Sequence, residues 1–175
     1  MKTRLQHYSD GFRQQGTTTV EFAIVGSLIF LVLFAVLEVG RLMYTWNLLN
    51  EASRRAARLA TVCRVQEVQN NTVASAVANQ LGGALPGFTA GNLVFTYMDR
   101  DGVVLADPAG ADADKTTGGF IRASIANYRY EMVLPLNVDL SRFAPDFSSV
   151  LRAESLGITP DGNAICDATG GVSLL

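Results

Sequence analysis

Residues 17–60 read TTTVEFAIVGSLIFLVLFAVLEVGRLMYTWNLLNEASRRAARLA. From Phe22 to Leu37 the stretch carries no charge, and from Val20 to Val39 only Glu21 and Glu38 interrupt twenty residues. At about 1.5 Å of rise per residue, the longer count reaches roughly 30 Å, the thickness of a bilayer's hydrocarbon core. Leu, Ile, Val, Phe and Ala point to every side of such a helix, so no polar stripe remains for water. A membrane-spanning helix over about 20–39 is the expectation. The run is long for a secretory signal, and the LEVGRLMYTW that follows lacks a small-residue exit, so the segment is expected to stay in the mature protein.

The helical pattern continues past the apolar run. No proline occurs before Pro86, and residues 41–63 are rich in Leu, Ala, Arg and Glu. Leu49, Ala52, Ala56, Leu59 and Cys63 recur at spacings of three and four, which gathers them on one face for packing against the chain's own domain. Glu51 reaches Arg55 at i+4 and Glu38 reaches Arg41 at i+3, pairs worth about 0.2–0.5 kcal/mol when exposed. One helix over 17–64, roughly 70 Å long, is the result.

Beyond it, QEVQNNT leads to a short helix at Val73–Leu81, with Asn71 or Thr72 as N-cap and Gly82 as its stop. Strand character follows at 92–98, 120–134 and 147–157, with Ile121, Ala123 and Ile125 on one face and Arg122 and Ser124 on the other. The stretch ADPAGADADKTTGG reads as a mobile surface loop, and the tail after Pro160 thins into residues that need not be ordered. The fold class is therefore α+β: a long N-terminal membrane-spanning helix, then, over 65–175, a short helix and an antiparallel sheet of about three strands.

Charge is nearly balanced, 14 basic against 16 acidic side chains, which argues against nucleic acid as a partner. Residues 1–16 carry Lys2, Arg4 and Arg13 against Asp10, a leader that favours the cytoplasm, but Arg41, Arg54, Arg55, Arg58 and Arg64 follow the span, so charge alone leaves orientation open.

Gly16, four residues, then Glu21 at the head of an apolar helix resembles the processing signature of type IV prepilins and pseudopilins. With Val20, Phe22, Ala23, Glu38, Gly40, Arg41, Tyr44 and the block Ala52–Ala60, the chain looks more specifically like the TadE-like minor pseudopilins of the tight adherence, or Flp, pilus system. The resemblance covers about 45 residues closely. It implies cleavage between Gly16 and Thr17 by an aspartyl prepilin peptidase, a cytoplasmic leader, a single pass through the bacterial inner membrane and a periplasmic domain. It also implies that Glu21 meets the new amino group of Thr17, commonly on a neighbouring subunit. Partners would be the peptidase, other pseudopilins or pilins, the inner-membrane assembly machinery and lipid. The bland reading of Glu21 is a residue that suits the helix dipole.

Enzyme chemistry has no motif behind it. The only histidine, His7, lies in the leader, and no pair of acids is placed into an acid–base site, so no catalytic residue, cofactor or metal is expected. Asp99–Gly102, DRDG, lacks the spacing of a calcium loop and reads as a tight turn. Cys63 and Cys166 would bridge helix to tail in an oxidising periplasm, or remain a buried and a free thiol. The alternative function is an uncleaved single-span envelope protein that uses its sheet domain for binding.

Overall fold

A computed structural model of the chain describes residues 17–132, 144–157, 164–166 and 172–174. The leader with Gly16 and the end of the second expected strand, at 133–134, lie outside the described residues. The chain divides into two compact units at Gly40/Arg41. Helix α1 (Thr17–Val62) supplies the described part of the first and runs on into the second.

In the first unit, every large apolar side chain from Val20 to Leu37 is at least half exposed, Phe22 most of all at 79%. Burying such a side chain is worth about 1.5–3 kcal/mol, so an array of this size is incompatible with water and matches lipid. Two features within it are adapted to that setting. The Ser27 hydroxyl donates to the Ile24 carbonyl oxygen at 2.8 Å, so it makes its hydrogen bond inside the helix. Phe30 and Phe34, one turn apart, stack at 6.4 Å.

The second unit is a small α+β domain in which α1 is the central element. Leu49, Ala52, Ala56 and Cys63 are buried, Leu59 is half-buried, and Ser53, Ala57 and Ala60 widen the buried stripe. Alanine suits this face because it keeps helix propensity while letting neighbouring elements approach closely. On the solvent side Arg55 Nε bonds Glu51 Oε1 at 2.7 Å. Helix α2 (Val65–Gln69), which periodicity over so few residues could not reveal, leads into α3 (Thr72–Leu81). Asn71 precedes α3 in the left-handed region at φ 61 without a side-chain cap bond, a conformation asparagine tolerates better than most residues. Val73, Val77 and Leu81 turn into the core.

A 3₁₀ turn at Ala90–Asn92 opens β1 (Leu93–Met98), which pairs with β2 (Phe120–Ile125), which pairs with β3 (Ser148–Arg152), all antiparallel, in the order β1-β2-β3. The register sets Leu93, Phe95 and Tyr97 opposite Ile125, Ala123 and Ile121, so the inward faces of both strands coincide. Gly119, just before β2, sits where a Cβ would collide with the Met98 carbonyl oxygen, a close approach that only glycine permits.

Four expectations need correction. The second strand ends at Ile125 rather than 134, because Asn127 turns the chain through φ 57. The third ends at Arg152, and Leu156 and Gly157 at φ 47 and 77 fold the chain back. The stretch expected as a mobile loop is instead pinned: Asp107 Oδ2 accepts from the Ala111 amide, Lys115 Nζ bonds Asp112 Oδ1 at 2.9 Å, and α4 (Ala113–Thr116) buries Thr116, whose hydroxyl donates to the Pro108 carbonyl. The tail likewise forms a hairpin, β4 (Ala164–Cys166) with β5 (Val172–Leu174).

Candidate assembly site

Among the described residues α1 opens at Thr17, and Glu21 follows four positions on with an exposed side chain. The neighbouring apolar side chains, Val20 at 59% and Phe22 at 79%, stand open on either side of it. Within one chain, then, the carboxylate sits on a bare helix at the entrance to the apolar array. A carboxylate at the centre of a span costs about 2.5–3.5 kcal/mol on insertion scales and less near the interface. Further along, Gly26 has nothing within 4 Å of the position a Cβ would take. Glycine inside a helix costs about 1 kcal/mol relative to alanine, and the described residues offer no packing reason for it.

Just past the span, Arg41 places its guanidinium carbon 5.7 Å from the Tyr130 ring centroid, a cation–π contact. Tyr44 is exposed and Trp46 lies against Phe147 at 6.5 Å. Basic and aromatic side chains at this position on a spanning helix are those that anchor a membrane–water boundary. Leu42, Trp46, Tyr128 and Phe147 line a cavity of about 400 Å³, whose described walls include Arg129 but no carboxylate, histidine or cysteine. The Tyr128 hydroxyl donates to the Pro86 carbonyl at 3.2 Å, and burial, then the nearby Glu131, pushes its ionisation upward against the opposing pull of Arg41.

At the other end of α1, Cys63 is bonded to Cys166 with the Cα atoms 5.7 Å apart. Glu67 Oε2 accepts the Cys166 amide at 3.3 Å. Cys63, Glu67 and Cys166 thus converge within 4.8 Å, but each sulfur is consumed by the other and the trio offers a metal only one carboxylate. The DRDG segment is a turn: Asp99 Oδ1 accepts the amides of Asp101 and Val103, and Gly102 adopts φ 84. That carboxylate oxygen is engaged by backbone.

The first unit holds a helix long and apolar enough to cross a membrane, consistent with a single-pass membrane protein, and the second unit is a disulfide-tied α+β domain. The family model for TadE-like proteins matches residues 16–58, the segment that holds the span, Glu21 and the alanine face. Over that segment the chain is similar to TadE-like proteins. No curated protein and no solved structure matches it.

Proposed function

We propose that the chain is a minor pseudopilin, made as a precursor and cut between Gly16 and Thr17 by a prepilin peptidase acting from the cytoplasmic side. The released helix then takes part in assembling an adhesive Flp pilus together with other pseudopilins and the inner-membrane machinery. The observation that carries this reading is Glu21, exposed at the head of the apolar helix and inside a family match that begins at residue 16.

In a chain that starts at Thr17, Glu21 is the fifth residue, beyond the first turn where the helix dipole acts most strongly. A dipole role is therefore weak support for an acid at this position. Pairing with the Thr17 ammonium of a neighbouring subunit offsets the cost of the carboxylate and sets the axial register between helices. The open space at Gly26 supports the same close approach of a second helix. The Cys63–Cys166 bridge supports a periplasmic domain, since such bonds persist in oxidising compartments. The subunit performs no catalytic step itself; it is the substrate of one.

The test is the intact mass and N-terminal sequence of membrane-purified protein, with and without a co-expressed prepilin peptidase. A chain starting at Thr17 only when the peptidase is present is the expected result. One that always retains the leader would leave an uncleaved envelope binding protein as the better account. Glu21→Gln should be cleaved as efficiently as wild type yet recovered with sister subunits at a fraction of the wild-type level.

A further inference from the structure

Strand β3 is one edge of the three-stranded sheet. The Ile125 amide donates to the Phe147 carbonyl at 3.0 Å and the Ala153 amide donates to the Gly119 carbonyl at 2.9 Å, so odd-numbered residues from 147 to 153 turn their backbone groups toward β2. Those of Ser148, Val150 and Arg152 face the other way, and among the described residues no strand pairs with them. The opposite edge is managed differently: Val104 bridges Met98, and the Leu105 amide donates to the Tyr97 carbonyl. Natural edges are usually blunted by lysine, proline or a bulge. This one displays Val150 at 45% and Leu151 at 38% exposure.

We infer that the β3 edge pairs antiparallel with the same edge of a second copy of this chain, about a two-fold axis at Ser149. The sequence DFSSVLR (146–152) is self-complementary in that register. Arg152 of each copy stands opposite the exposed Asp146 of the other, giving an opposite-charge pair at both ends. Exposed Leu151 stands opposite Phe147, Val150 opposite Ser148, and Ser149 faces its own counterpart. The outward-facing amides and carbonyls of Ser148 and Val150 complete the ladder. Moving the register by two residues to centre on Val150 sets Glu154 opposite Asp146 and removes both ion pairs, so charge selects one alignment. The contact is isologous and closes on itself as a dimer. It involves only the second unit and does not depend on cleavage after Gly16, so peptidase processing and dimerisation succeed or fail separately.

Detergent-solubilised full-length chain, studied by sedimentation across a concentration series, tests the pairing. Wild type should dimerise. Arg152→Asp and Asp146→Arg should each weaken self-association at least tenfold, by setting like charges opposite one another. Mixing the two variants should restore a dimer, because in the heterodimer both facing pairs become opposite in sign again. Val150→Pro removes an amide that faces only the free edge, and should also leave a monomer. An intact Cys63–Cys166 bridge in each variant checks folding, and recovery on mixing shows that both charge variants are folded. A wild type that stays monomeric throughout, charge variants that dimerise like wild type, or a mixture that fails to recover would each overturn the inference.

Discussion

Tyr97 shows what a single misfit atom does in this domain. Its ring sits on the inward face of β1 at 3% exposure, and its hydroxyl is buried without a hydrogen-bond partner among the described residues. Burial pushes its ionisation far above the usual tyrosine value of 10.0. Below pH 10 both folded and unfolded chains hold the proton, and the effect is silent. Above it the unfolded chain releases the proton and the folded one does not, so stability falls as pH rises through the alkaline range. Tyr97→Phe removes both the unpaired hydroxyl and this loss. It should match or exceed wild type by up to about 1–3 kcal/mol at neutral pH, and urea titrations at pH 8 and pH 10.5 should show a smaller decline for the variant. The alternation at 92–98 made the strand readable, but not the fact that this hydroxyl meets nothing, which depends on what packs above it.

At the scale of elements, α1 does two jobs with one helical geometry. From Val20 to Leu37 its apolar side chains have no buried face among the described residues, whereas from Leu49 to Ala60 it is the floor of the domain core. The three-four spacing of Leu49, Ala52, Ala56, Leu59 and Cys63 made the second role legible, because a helix can present such a set only on one side. Ala56 is fully buried among Leu49, Val77 and Leu93, so Ala56→Leu should overpack the core and cost about 1–3 kcal/mol, measured by denaturant unfolding. The same change at Gly26, where a Cβ has open space, should leave the isolated chain's stability unaltered. Helices α2 and α4, of five and four residues, escaped notice because fewer than two turns cannot display a period.

Across the whole molecule, one covalent bond joins the end of α1 to the tail over a separation of 103 residues. Closing a loop of that size is worth about 4–5 kcal/mol in the chain-entropy model. Cys63→Ser with Cys166→Ser should lower the urea midpoint by a corresponding amount, and the β4–β5 hairpin should become the first protease-sensitive segment. The loss should be larger than for Arg55→Ala, whose exposed ion pair with Glu51 is worth about 0.3–0.5 kcal/mol.

The apolar run, the continuous helix, the α+β class and the resemblance to TadE-like proteins over residues 16–58 were all legible in the sequence alone, because each rests on local order: an unbroken apolar stretch, a helical period, and a glycine-to-glutamate spacing. What only the tertiary structure decided is which polar groups find partners. The unpartnered Tyr97 hydroxyl and the bare edge of β3 depend on residues distant in the chain arriving at the same place. No local pattern encodes such meetings, since the free energy that rewards them is gained only when the whole domain closes.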